Sequence, residues 1–363
     1  MPKTQIQRSL LYAEGQDMIK KSGLGKAITH QARALELAQV PFTLDRNDSY
    51  DLLHINTYLP SSVIFAELCR KSDKAIVYHA HSTEEDFENS FIFSNQMAPF
   101  FKQWISYAYS LGDVLITPTP YSKKLLEGYG LNKEIFAISN GVDLDAFQPL
   151  PHARKKFLEK WGYSSRDFVV MGIGLFLKRK GILDFVELAS RMGDIQFIWF
   201  GDLNLNLVPE EVRDAVKTSL PNLRFAGYVP REEINLALQG SDLYIFPTLE
   251  ETEGIPAIEA CAARADFIVR DIPVFDPWLK DGVHCYKAKD VDDFEEKIRL
   301  FQKKKLPSLK EAAYGIAQER NLTNIGKDLG KAYERAREIR DQRVAKSDRS
   351  IESLDQLLKK LVE

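Results

Sequence analysis

Two doubly wound α/β domains facing a cleft are the fold this sequence predicts, on three observations. Short apolar runs alternate with longer stretches of helical spacing, as βα units require. The alternation runs twice, with a punctuated stretch between the two series. The length of 363 residues exceeds one ordinary core and suits two.

Taken in order, Ser9 to Ala13 reads as a first strand ending at Glu14-Gly15, and Gly25 to Leu37 has helical spacing through Ile28, Ala32 and Leu35. Leu52 to Ile55, Ala75 to Tyr78 and Val114 to Ile116 are short buried-strand candidates. After Trp161 the pattern restarts with Phe168 to Ile173, Ile195 to Phe200, Leu243 to Phe246 and Phe267 to Val269. Runs apolar on both faces suit parallel sheets covered by helices. Asn140-Gly141 and Pro149-Leu150-Pro151 punctuate the hinge, expected between Asn140 and Lys156. The expected division is 1–147, 148–330 and a charged amphipathic helical extension over 331–363. In that extension Ile351, Leu354, Leu358 and Leu361 repeat at helical spacing after a basic stretch containing Arg335, Arg337, Arg340 and Arg343. A final helix packed on the body, a coiled-coil contact and a membrane-surface helix all fit that pattern.

Composition narrows the function classes. A hydrophobic fraction of 44% with 28% charged residues is that of a soluble globular chain. No apolar run reaches membrane-spanning length and the N-terminus lacks a signal-peptide pattern, so export is not expected. Cys69, Cys261 and Cys285 are far apart and lack CxxC spacing, which argues against a disulfide scaffold and a zinc site. A net charge of −3 gives no reason to expect nucleic acid.

The segment Pro247 to Ala260 carries the strongest chemical signal. It follows the strand Leu243–Phe246 directly and opens a helix near Pro256. Glu251 and Glu259 then fall on the cleft side, at the C-terminal end of a parallel strand where such sheets bind ligands. Gly254 lets a ligand approach the backbone, and free N–H groups at Gly254 and Ile255 attract phosphate. Carboxylates beside a phosphate site make sense when they accept hydrogen bonds from sugar hydroxyls. Acidic residues merely favouring a helix N-terminus account for Glu251 and Glu253 but not for Glu259.

The second signal is Gly172-Ile173-Gly174-Leu175-Phe176-Leu177-Lys178-Arg179-Lys180-Gly181, a strand, glycine loop, basic cluster and helix in the order of an anion site. Arg179 and Lys180 can neutralise a leaving diphosphate. The third glycine of a dinucleotide fingerprint is missing, which disfavours a nicotinamide cofactor. Asp143-Leu144-Asp145 spells a metal-binding DxD but follows a hinge turn, and the His79/His81 pair lacks a cysteine to complete a zinc set.

Glu251 and Glu259 around Gly254 and Pro256, the Lys180-Gly181 loop, Asn140-Gly141-Val142-Asp143 and the loop Ser22-Gly23-Leu24-Gly25-Lys26 occur together and in order. Over roughly Leu10 to Ala332 the chain resembles family 4 of the retaining glycosyltransferases, which implies the GT-B fold: two Rossmann-like domains, an N-terminal acceptor domain and a C-terminal domain for a nucleotide sugar. His54-Ile55-Asn56-Thr57-Tyr58, the stretch His79 to Phe91 and Trp199-Phe200-Gly201-Asp202 are similar to Gram-positive enzymes that extend diacylglycerol glycolipids. Within these, the α-galactosylglucosyldiacylglycerol synthase type adds a second hexose to monoglucosyldiacylglycerol.

The resemblance implies that Glu259 accepts from ribose hydroxyls, Glu251 meets the donor sugar, and Lys180 with Arg179 holds the diphosphate. It implies that Gly23 and Gly25 close over the phosphates and that His81 stands against the sugar, although a histidine capping a strand end also fits. Two positions depart from the family's pattern. Leu175 stands where an arginine is usual, and Glu253 stands where many relatives have an aromatic residue, which is expected to affect sugar or acceptor choice.

The implied substrates are UDP-galactose or UDP-glucose and a glycolipid, with no cofactor, no metal and no protein nucleophile. A cytoplasmic location is expected, peripheral on the inner face of the cell membrane and touching anionic lipid. Pro99 to Leu111 predicts a helix whose stripe Phe100, Trp104, Tyr107 and Leu111 is read as core, whereas Phe91-Ile92-Phe93 suits a bilayer interface. A transferase acting on a soluble sugar or cell-surface glycan, a GT-B sugar-nucleotide epimerase and a non-catalytic nucleotide-sugar-binding protein remain alternatives.

Overall fold

The computed structural model describes residues 7–15 and 23–362, with side chains through residue 347. Its first half contains β1 (Ser9–Tyr12), α1 (Gly23–Leu37), β2 (Phe42–Thr43), β3 (Leu52–Ile55), α2 (Pro60–Lys71) and β4 (Ala75–His79). The short α3 (Glu84–Phe87), α4 (Ser94–Ser110), β5 (Val114–Thr117), α5 (Pro120–Gly128) and β6 (Glu134–Ala137) complete it. The second half begins with α6 (Ala153–Trp161), β7 (Val169–Ile173), α7 (Ile182–Arg191), β8 (Gln196–Phe200), α8 (Glu210–Lys217) and β9 (Leu223–Gly227). It continues with α9 (Arg231–Gly240), β10 (Leu243–Phe246), α10 (Ile255–Ala262), β11 (Phe267–Arg270), β12 (Tyr286–Ala288), α11 (Val291–Gln302), α12 (Lys310–Glu319) and α13 (Leu322–Val362).

Two six-stranded sheets result, ordered β2-β1-β3-β4-β5-β6 and β12-β11-β10-β7-β8-β9. Every strand pair in both sheets is parallel. The interior strands bury both faces, which is why their sequences are continuously apolar. In β4, Ile76 and Tyr78 enter one core while Ala75 and Val77 enter the core on the opposite face. In β7, Val169 and Met171 pack on one side and Val170 on the other. The order of the second sheet reverses direction between β7 and β10, so the loops after these two strands open a crevice for ligand.

The chain passes between the halves twice, side by side. The Val142 N–H donates to Arg320 O at 2.9 Å, and Val142 bridges Asn321 in parallel. Gly141 there has φ +69°, and a Cβ would stand 2.7 Å from Ile325. The hinge expected from Asn140 onward is thus packed against the returning chain at its first residues.

Two sequence expectations change. The final helix begins at Leu322 and seats Leu329, Ala332, Tyr333 and Ala336 beside Leu35, Leu52 and Val77, against the first sheet. Its basic residues serve that packing: Arg337 holds Asp51 at 2.7 and 3.0 Å, Arg343 meets Asp113 at 3.2 Å, and Arg335 meets Glu134 at 2.7 Å. The leucine repeat from Ile351 onward lies outside the described side chains. The second change concerns α4, where Phe100, Trp104 and Tyr107 are 65%, 37% and 47% exposed rather than core. Ala98, Ile105, Ala108 and Tyr109 are buried instead, because small residues and a hydrogen-bonded tyrosine form the face that meets the sheet.

Candidate functional site

The crevice residues come from the loops after β7 and β10 on one side and from α1, β4 and α3 on the other. After β7, Lys178–Lys180 form one 3₁₀ turn ended by Gly181 at φ +76°. A Cβ at Gly181 would lie 2.2 Å from Pro247 O, so only glycine lets the basic loop rest on the acidic one. The contact is tied by the Leu249 N–H donating to Arg179 O at 2.6 Å, with Thr248 Oγ1 standing 3.1 Å from the same oxygen.

Lys180 and Glu251 meet there as a buried ion pair, and Thr248 Oγ1 donates to the same Glu251 Oε1 at 3.0 Å. Burial pulls the Lys180 ammonium below its ordinary range, with the neighbouring Arg179 adding to the effect. Glu259, fully buried one turn inside α10, accepts from Lys26 Nζ at 2.9 and 3.0 Å. Lys26 belongs to the first turn of α1, so this bond spans the crevice.

Arg179, beside Lys180, reaches across to the first half. Its guanidinium lies 2.9 Å from Asp86 of α3, its Nε donates to Ser90 Oγ at 2.7 Å, and its N–H donates to Asn89 O at 3.2 Å. Burial raises the Asp86 carboxyl, opposed by Arg179 and Lys180 and reinforced by Glu251. Two cations and two carboxylates therefore share one dry spot where the domains meet.

The structure places three further sequence candidates. Gly23 and Gly25 lie in the first turn of α1 rather than in a loop, and Ser22 lies outside the described residues. Gly254 caps α10 at φ +88°, and a Cβ would meet Phe246 at 2.9 Å and Phe275 at 3.2 Å. That glycine is demanded by the turn and the aromatic core, while the adjacent Ile255 opens the helix with its side chain buried. Glu253 is buried, and its Oε2 accepts from Asn140 N at 2.9 Å and Asn140 Nδ2 at 2.8 Å, clamping the hinge.

His81 follows β4, and its Nε2 donates to Asn56 Oδ1 at 2.8 Å. Its proton is thereby placed on Nε2, leaving Nδ1 as an acceptor. Burial drops the imidazole to about 3, so it is neutral at ordinary pH. Its ring stacks on His79 with centroids 4.0 Å apart, and His79 Nδ1 lies 3.1 Å from His54 Nε2. His54 Nδ1 in turn lies 2.6 Å from the Tyr333 hydroxyl, which ties this column to the last helix.

Sequence reasoning gave no role to Lys26, His30, Asp86 or Asn56. His30 Nδ1 donates to the Gly141 carbonyl at 3.0 Å, and burial lowers its affinity for a second proton. Two more bonds close the crevice: Thr119 Oγ1 to Thr252 O at 2.8 Å and Tyr121 OH to Glu250 Oε1 at 3.0 Å. Their partners lie about 130 residues apart, so no local pattern announces them. Asp143, first of the DxD pair, caps the turn Leu144–Phe147 through Asp145 N.

Comparison with known proteins agrees with this architecture. Residues 28–146 match Glycosyltransferase Family 4, and residues 153–319 match Glycosyl transferases group 1. A processive diacylglycerol alpha-glucosyltransferase of Acholeplasma laidlawii is 38% identical, across 91% of this chain and 99% of its own. An alpha-galactosylglucosyldiacylglycerol synthase of Streptococcus pneumoniae is 28% identical, across 61% of this chain and 62% of its own. Among solved structures, Anabaena HepE in complex with UDP and glucose superposes with a TM-score of 0.70 at 16% identity, covering 91% of this chain and 99% of that one.

Proposed function

Because the chain belongs to the family 4 glycosyltransferases of the GT-B fold, we propose that it moves a hexose from a UDP-sugar onto a glycolipid with retention of the α configuration. Transfer to a glycolipid is supported by the two relatives named above, a diacylglycerol glucosyltransferase and a galactosylglucosyldiacylglycerol synthase. We take UDP-glucose as the donor on the strength of the 38% identical glucosyltransferase, and monoglucosyldiacylglycerol as the acceptor. The protein works as a peripheral enzyme at an anionic membrane surface. No helix among the described residues is long and apolar enough to cross a bilayer.

The observation that carries the site assignment is the meeting of Lys180 and Arg179 with Glu251 and Asp86 at the strand-order reversal of the second sheet. Each cation is neutralised by a carboxylate that a diphosphate can displace. In the donor complex Lys180 and Arg179 stabilise the charge that develops on the leaving diphosphate, helped by N–H groups at Gly254 and Ile255. Glu259 accepts from the ribose hydroxyls, and Glu251, released by Lys180, accepts from the donor sugar. His81, neutral and holding its proton toward Asn56, offers Nδ1 to a sugar hydroxyl. Closure through Lys26, Thr119 and Tyr121 excludes water that would otherwise hydrolyse the donor.

The test is UDP release from UDP-glucose and UDP-galactose, each with and without monoglucosyldiacylglycerol in anionic mixed micelles. Release from UDP-glucose only when glycolipid is present is the expected result. Release without any lipid acceptor would overturn the assignment, and release from UDP-galactose alone would overturn the choice of donor.

A further inference from the structure

Three ion pairs line the crevice, and one of them differs from the other two. Lys180–Glu251 lies within the second half, and Arg179–Asp86 joins the halves. Lys26–Glu259 also joins them, but it pairs a fully buried carboxylate with a partly open cation. The Lys26 side chain is 33% exposed, against 14% for Arg179 and 16% for Lys180. A lysine ammonium sits on a flexible four-carbon stem, so it can swing while its backbone stays in place.

That backbone is held from two sides. His30, one turn further along α1 on the same side, donates through Nδ1 to Gly141 O at 3.0 Å, with Asn140 O at 3.2 Å. Elsewhere α1 lies directly on α13, where a Cβ at Gly326 would stand 2.0 Å from Ala34 O. Lys26 therefore projects from a wall fixed to the hinge and to the last helix.

In the empty crevice this pair competes with the donor. Lys26 Nζ donates to both oxygens of Glu259, at 2.9 and 3.0 Å, and these are the oxygens assigned above to the ribose hydroxyls. Sending the ammonium into water would leave a buried carboxylate facing neutral hydroxyls alone, which is costly. A shorter move avoids that cost. Glu259 lies four residues after Ile255, about 6 Å along the axis of α10. A nucleotide with its ribose on Glu259 and its phosphates at the Gly254 and Ile255 N–H groups brings negative charge within a lysine's reach. The three crevice cations already face three carboxylates, so a diphosphate needs cations whose partners the same ligand satisfies. Lys26 meets that condition, because ribose hydroxyls replace its two bonds to Glu259. The exchange matches the one described for Lys180 and Glu251, carried out from the opposite wall.

We propose that Lys26 is a diphosphate-binding residue supplied by the first half, resting on Glu259 in the empty crevice and swinging to the phosphates once ribose takes that carboxylate. This rests on the nucleotide-sugar reading above and adds a cation to it. Joining of the halves and neutralisation of the leaving group then depend on one side chain.

The experiment titrates the full chain with UDP and with uridine, which keeps the ribose hydroxyls and lacks the phosphates. Parent, Lys26→Met, Lys26→Arg, Glu259→Gln and Lys26→Met/Glu259→Gln are compared by the ratio of the two affinities, so any loss of folded protein cancels. In Lys26→Met, UDP is expected to bind roughly tenfold or more weaker, the effect of one charge-assisted hydrogen bond, while uridine binds as well or better. Lys26→Arg keeps most of the parent's ratio. The same fall is expected on adding Lys26→Met to Glu259→Gln, where no buried charge is stranded. A ratio equal to the parent's in Lys26→Met would overturn the inference. Equal weakening would make Lys26 a clasp between the halves only, and equal tightening a plug over Glu259 only. In both cases UDP binding by the parent keeps the nucleotide-sugar reading. A parent that binds neither ligand would remove that reading, and this inference with it.

Discussion

Replacing Lys180 with methionine removes the cation facing Glu251 at a place where both side chains are nearly dry, 16% and 8% exposed. Glu251 then keeps one neutral donor, Thr248 Oγ1 at 3.0 Å, and faces the Asp86 carboxylate with Arg179 as the remaining cation. Breaking a buried pair from one side costs about 3–5 kcal/mol. The surviving Arg179 places the expected loss near the lower end, about 3 kcal/mol, roughly a 150-fold change in the folding equilibrium. In Lys180→Met/Glu251→Gln no charge is stranded, so most of that loss returns, with a coupling of about 2 kcal/mol or more. Urea unfolding of the parent, both single variants and the double variant measures the cycle, and titration with UDP runs on the same four proteins. All variants lacking Lys180 should lose UDP affinity whatever their stability, because the diphosphate loses its cation. A coupling within about 0.5 kcal/mol of zero would refute the buried-pair reasoning. Unchanged UDP affinity would refute the anion loop.

Two further predictions probe the loops around that pair. Gly181→Ala forces a left-handed alanine and drives its Cβ into Pro247 O, 2.2 Å away; a stability loss of roughly 2–4 kcal/mol with weakened UDP binding is expected, and a melting temperature equal to the parent's would refute it. Burial raises the Glu250 carboxyl to about 7, so the stability it confers is complete below its ordinary range and lost as pH rises through about 7. Melting temperature should therefore fall more steeply from about pH 5 to about pH 8 in the parent than in Glu250→Gln, and superimposable profiles would show that this carboxyl is not buried.

Legibility of the strands followed burial. The eight strands read from apolar runs are the eight interior strands of the two sheets. The four that gave no signal, β2, β6, β9 and β12, are the four edges. Leu223-Arg224-Phe225-Ala226-Gly227 shows why: an edge strand is partly open to water, and its sequence mixes polar with apolar residues. The α4 stripe misled for a related reason. Helical spacing reveals that apolar residues share a face, but not whether that face turns inward. Here the inward side was taken by Ile105 together with Ala98 and Ala108, two alanines small enough to let the helix approach the sheet.

By itself the sequence determined the two parallel sheets, the loop after each strand that carries a charged residue, and the family resemblance borne by Glu251, Glu259 and Lys180. All are local, because strand, turn and helix start lie within a few residues of one another. The tertiary structure alone decided the partners: Lys26 for Glu259, Asp86 for Arg179, Asn140 for Glu253 and Asn56 for His81. Lys26 and Glu259 are separated by 233 residues, Asn140 and Glu253 by 113. Those pairs exist because two separate sheets close on one another, and a side chain's charge states that it needs a partner without stating which.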